Sequence, residues 1–284
     1  MSGLISLLSM RFPSLLAVAC LVLTGGVHAE PLSVFVTIPP QKYFVEQVGG
    51  EHVQVQVMVG RGQSEEVYEP TPRQLASLTQ AQVYFRIGVP FEDVWLDRFA
   101  ALNPKMRIVD LTQGIDPLYF ARGGVDPHVW TDPGRVKTIA RGIRDALSAF
   151  DPEHAANYAD NLDRFETELD RLDQEVRGIL KNVAIKKFLV FHPSWGYFAS
   201  AYGLEQIPIE RDGKEPGAKA VAALAVRARA EGVRIVFVQR SGSTRPAETL
   251  AREIGAEVRE IDHLAEDYIQ NIRRVAQQFA GTAG

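Results

Sequence analysis

Cysteine is almost missing from this chain. Of 284 residues only Cys20 carries a thiol, so a disulfide framework and a cluster of thiolate metal ligands are both excluded. Positive charge is not in excess either. The formal net charge is −4 and no basic cluster overrides it, which argues against a nucleic-acid partner. Beyond the N-terminal run Leu15 to Leu23, no apolar stretch approaches the length of a membrane-spanning helix. No His-Glu-x-x-His segment occurs, no two histidines are closely spaced, and there is neither a low-complexity segment nor a short-period repeat. What is present is ordinary for a folded protein: 46% hydrophobic and 23% charged residues, enough for one large or two mid-sized cores.

The N-terminus reads as a leader. Arg11 precedes the apolar run, and Thr24, Gly25 and Gly26 lead to Val27-His28-Ala29, a small-residue cleavage pattern. Cleavage after Ala29 is favoured over lipid attachment at Cys20, because Ala17-Val18-Ala19 is a poor match to a Leu-rich lead-in. The expectation is an exported, periplasmic and monomeric protein.

The stretch 151–183 organises the remainder. Tyr158, Leu162, Phe165, Leu169, Leu172, Val176, Ile179 and Val183 recur at steps of four and three, one stripe of a single long helix. Asp151 is placed to cap it and Pro152 to open it. At 1.5 Å per residue such a helix is roughly 48 Å long, a rigid spine between two lobes. Before it, strand-like runs at 32–38, 53–59, 83–88 and 107–111 alternate with helical ones, Pro39-Pro40 closing the first strand. After it, runs at 188–191, 205–209, 233–238 and 257–261 do the same. The fold class is therefore α/β, with two similar lobes, each a mostly parallel sheet flanked by helices. The domains are a leader at 1–29, an N-terminal lobe at 30–150, the spine at 151–183 and a C-terminal lobe at 184–284. Gly60-Arg61-Gly62 does not make a dinucleotide loop, since a third glycine is missing and no helix opens there.

Ligands of open α/β sheets bind beyond the carboxyl ends of the strands. The metal-capable side chains there are Glu65 or Glu66, His128, His192 and Asp262, two from each lobe. Imidazole and carboxylate together suit a divalent transition ion. Each has a plainer reading: a satisfied loop histidine for His128, a buried strand-end histidine for His192, a helix cap for Asp262. His263 is a spare candidate, and His52 and His154 read as solvated. Trp130, Trp195 and Tyr197 either wall the cleft or are core aromatics.

The segments VTIPPQKYFVEQVGG, YEPTPRQL, DPHVWTDP, FHPSWGYFASAYGL, PAETLAREIG and EIDHLAEDY, in this order, resemble the solute-binding component of zinc and manganese ABC transporters over residues 32–280. The resemblance implies two α/β lobes bridged by one long helix, a metal held by one residue from each of four loops, and delivery to an inner-membrane ABC permease that the polar tips of the lobes would meet. It carries His128, His192 and Asp262 over as ligands. At the first position the family's usual histidine is replaced by Glu66, leaving either a carboxylate ligand or a three-ligand site. The family's histidine-rich loop is absent from 112–125, and Gln239-Arg240-Ser241 departs from an expected acidic residue. The ion expected is zinc first, manganese next. A secreted metallohydrolase and a metal-independent adhesin-like binding protein are the competing readings.

Overall fold

The computed structural model describes residues 30–121, 123–184, 186–210, 216–239 and 245–281. The leader, Arg240 and Ser241 lie outside these. Among the described residues no helix is long and apolar enough to cross a membrane.

The first lobe holds β1 (Leu32–Val36), α1 (Pro39–Gly49), β2 (Val53–Val57), α2 (Pro72–Leu78), β3 (Val83–Arg86), α3 (Pro90–Leu102), β4 (Arg107–Asp110) and α4 (Pro133–Phe150). Its four strands lie in the order β2-β1-β3-β4, all parallel, with Val34 of β1 facing Val55 on one side and Val83 on the other. The second lobe repeats the plan: β5 (Lys187–Val190), α6 (Gly196–Tyr202), β6 (Glu205–Pro208), α7 (Ala218–Ala230), β7 (Ile235–Val238), α8 (Arg245–Ile254), β8 (Glu257–Glu260) and α9 (Tyr268–Ala280). Its sheet order is β6-β5-β7-β8, again parallel throughout. In both sheets the order reverses beside the first strand of the lobe, and a crevice opens there at the carboxyl ends.

The helix starts follow local chemistry. Thr71 accepts from the Gln74 amide and the Gln74 side chain accepts from the Thr71 amide, a reciprocal cap before Pro72. Pro39 and Pro40 open α1 instead of only closing β1. The buried Gln41 carbonyl accepts from the amides of Thr37 and Ile38, doing the work of a cap.

The spine, α5 (Ala155–Leu180), has 26 residues, about 39 Å at the standard rise. It is shorter than its periodicity predicts. Pro152–His154 forms a tighter 3₁₀ turn, and Asp151 does not cap the amides. Its carboxylate accepts instead from His154 Nδ1 at 2.6 Å and the Tyr158 hydroxyl at 2.7 Å. The expected stripe is buried from Tyr158 to Val176, with Leu180 taking the last position and Ile179 and Val183 only half-buried. His154 is not simply solvated, since its ring stacks on His52 at 3.8 Å.

One hydrophobic core runs from the first sheet across α5 to α9 and the far lobe, and a smaller one lies under α7 and α8. Tyr43 and Phe44 of α1, Phe165 of α5 and Tyr268 of α9 form one aromatic cluster, with the Phe44 and Tyr268 rings edge to face at 4.9 Å. Lys42 pairs with Glu266 across the lobes at 2.6 Å. The lobes are thus locked at the spine, which favours small rearrangements near the crevice over wide hinge opening.

Candidate metal centre

Four loops leave strand ends and meet between the lobes. The loop after β2 carries Glu65 and Glu66. Glu65 is buried to 3% exposure, and its carbonyl accepts from the Phe91 amide, which pins the backbone there. The segment before α4 carries His128, held by Asp126: one carboxylate oxygen accepts from the His128 amide at 3.0 Å and faces His128 Nδ1 at 2.7 Å. The turn after β5 carries His192, whose Nδ1 lies 2.6 Å from Glu210 Oε1. The segment after β8 carries His263, whose carbonyl accepts from the Trp130 indole at 2.7 Å.

The facing atoms are close. Glu65 Oε1 lies 2.7 Å from His263 Nε2 and 3.5 Å from His128 Nε2. His128 Nε2 lies 3.3 Å from His192 Nε2, and His192 Nε2 is 3.7 Å from Glu66 Oε1. Donor atoms of Glu65, His128 and His263 fall within 4.8 Å of one another, and so do those of Glu66, His192 and Glu210. The first group is fully buried and the second faces the mouth.

An ionised carboxylate only accepts hydrogen bonds, so Asp126 and Glu210 place the Nδ1 protons of His128 and His192. The two Nε2 atoms then face each other across 3.3 Å with the Glu65 oxygen beside them. Two imidazole nitrogens and a carboxylate converging in a buried space hold a cation between them, a proton on His128 or a metal ion in its place. For His128, burial alone would lower the pKa, but the Asp126 and Glu65 bonds and charges outweigh it and push it up to about 9. Glu65 is also opposed by burial, yet the two imidazoles beside it hold its carboxyl well below the usual range. His263 goes down, chiefly through desolvation, with neighbouring His128 and His192 adding to it against the pull of Glu65.

Of the residues singled out from the sequence, His128 and His192 meet across the crevice. Glu66 stands at the mouth, its side chain 38% exposed, and the deep position belongs to Glu65. The Asp262 carboxylate accepts from the Leu264 amide at 2.8 Å, a local turn bond, while the adjacent imidazole enters the pocket. In this turn after β8 the Asp262 carboxylate is held by its local bond and the His263 imidazole by the Glu65 oxygen. Trp130 is buried and stacks on His263, so it is both a wall of the crevice and part of the core. Asp126 and Glu210 were missed, while Gln239, noted only as standing where an acidic residue was expected, supports His263. The Asp-Pro-His spacing is a readable signal for Asp126, since an Asp two residues before a histidine can bond that residue's amide. Glu210 and Gln239 lie 18 and 24 residues from the histidines they touch and leave no such trace.

Comparison with known proteins agrees with this architecture. The family model described as zinc-uptake complex component A, periplasmic, matches residues 34–282. A putative metal-binding protein of Chlamydia muridarum is 30% identical over 253 residues, covering 87% of this chain and 90% of that protein. The high-affinity zinc uptake system protein ZnuA of Bacillus subtilis is 26% identical over 252 residues, covering 83% of this chain and 79% of its own length. A crystal structure of a ZnuA is 42% identical, with a TM-score of 0.86, and covers 90% of this chain and 100% of that one. The family is one of zinc-uptake components and not of enzymes, which sets the metallohydrolase reading aside. On the match over nearly its whole folded length, the chain belongs to the periplasmic zinc-uptake complex component A family.

Proposed function

We propose that the protein captures a divalent transition ion, zinc first and manganese next, in the crevice between its lobes and passes it to an ABC permease. The exported, periplasmic location expected from the leader and the monomeric state belong to the same reading. The observation that carries it is the pair of Nε2 atoms facing each other at 3.3 Å, each on an imidazole whose Nδ1 is engaged by a carboxylate. Tetrahedral zinc with bonds of roughly 2.0–2.1 Å sets its ligand atoms about 3.3–3.4 Å apart. The 3.3 Å and 3.5 Å separations around His128 match that edge.

The ligand set is then Glu65, His128 and His263, with His192 closing the fourth position, in place of the set Glu66, His128, His192 and Asp262. Three imidazoles with one carboxylate form a softer set than two with two, which moves preference toward zinc. Gln239 Nε2 lies 2.9 Å from His263 Nδ1, so His263 carries its proton on Nε2 and donates to Glu65. Metal binding moves that proton to Nδ1, where Gln239 accepts it by turning its carbonyl oxygen. Titration of metal-stripped protein against a chelating dye tests the function. Affinity no tighter than about micromolar for both zinc and manganese would end it.

A further inference from the structure

The apolar stripe of α5 runs past the core that it serves. Ile179 and Val183 are only half-buried, and beside them a cavity of about 550 Å³ opens in the second lobe. It lies at the amino ends of that lobe's strands, since Phe188, Ile235 and Glu257 line it from the first two residues of β5, β7 and β8. The metal crevice is at the opposite, carboxyl ends, and the two share no residue.

The walls are apolar and held in place. Phe188 and Phe279 are buried and meet edge to face with ring centroids 4.6 Å apart, and Ile179, Val183 and Ile235 extend the same surface. A cleft of roughly 300–1,000 Å³ with such walls and a few polar groups is the ordinary form of a small-molecule site.

The cations at its rim are not equivalent. Lys187 is held by Glu205 at 3.2 Å and Glu231 at 3.4 Å. Arg259 pairs with Glu257 at 2.6 Å and donates a further bond to the Gln278 carbonyl. Arg234 differs: among the described residues its guanidinium has no hydrogen-bond or ion-pair partner. It sets a permanently charged, planar fork of donors beside an apolar wall. A ligand that satisfies both has an anionic head and an apolar body.

We propose that this cavity binds a small amphipathic carboxylate, its head on the Arg234 guanidinium and its tail along Val183, Phe188 and Phe279. The head accepts two parallel N–H bonds, the geometry in which arginine binds a carboxylate most strongly. The tail covers the end of the α5 stripe that the core leaves half-exposed. The site goes beyond metal capture and does not depend on it.

The test is calorimetry with decanoate on the full chain, compared with hexanoate, octanoate and decanol. One equivalent of decanoate is expected, with affinity rising about two- to fourfold per methylene from hexanoate upward, the larger figure being that of full burial. Arg234→Glu should weaken decanoate at least tenfold and Arg234→Lys by less. Both should leave the zinc Kd unchanged, because the residue is exposed and at the far end of the lobe from the crevice. Decanoate that fails to bind at millimolar concentration overturns the site. So does decanol that binds as tightly as decanoate, a comparison made on the unaltered chain, or an Arg234→Glu protein with undiminished decanoate affinity.

Discussion

A single methyl group at Gly196 should loosen metal binding without unfolding the protein. Gly196 opens α6 in the far lobe, and a Cβ built on it lies 2.4 Å from Asp126 Oδ2 and 3.0 Å from Gln206 Nε2. Ordinary contact needs at least about 3.4 Å, so Gly196→Ala must push the Asp126 carboxylate away by roughly 1 Å. That carboxylate holds His128 at both its amide and its Nδ1. Loss of such an outer carboxylate typically costs ten- to a hundredfold in metal affinity, about 1.4–2.8 kcal/mol. Apo stability should move far less, because alanine gains helix propensity of up to about 1 kcal/mol against an overpacking cost of about 1–3 kcal/mol. The assay is zinc Kd by dye competition beside thermal melts of the metal-free protein. Asp126→Asn should weaken binding by a similar factor, and adding it to Gly196→Ala should cost little more, since both act on one bond. An unchanged Kd in Gly196→Ala, or two effects that add fully, would refute the chain of contacts from Gly196 to His128.

Three other expectations follow from the same geometry. His128 is raised to about 9 from 6.5, so below pH 9 zinc must displace a proton from it. Log affinity should climb about one unit per pH unit from 7 to 9 and then level, a flat profile being the contrary result. The sign reverses for the metal-free fold: the stabilisation by His128 protonation is full below the unfolded value of 6.5 and is lost as pH rises through about 9, so apo melts should fall over that interval. His263→Ala should weaken zinc binding by at least tenfold while Asp262→Ala, which removes only a turn bond to Leu264, changes it by less than threefold; equal losses would restore Asp262 as a ligand. Chelation should lower the melting temperature, with zinc at a thousand times Kd adding about 4 kcal/mol of stability, and a melt indifferent to chelator would favour a metal-independent binding protein.

The sequence alone settled what depends on local periodicity and loop position. The strand and helix rhythm, the apolar stripe of α5, and the loops that carry the donors are all set by side-chain alternation and by residues that cap or break. Tertiary structure decided which of two neighbours faces the crevice. Glu65 takes the deep position and Glu66 the mouth, and His263 turns inward while Asp262 closes a turn. No pattern in an irregular loop distinguishes adjacent positions, because facing there is dictated by distant anchors: the Phe91 amide on the Glu65 carbonyl and the Trp130 indole on the His263 carbonyl. The supports behind the imidazoles were hidden for the same reason. Glu210 reaches His192 because parallel pairing sets β6 beside β5, and Gln239 reaches His263 because it sets β8 beside β7, adjacencies that exist in space and not along the chain.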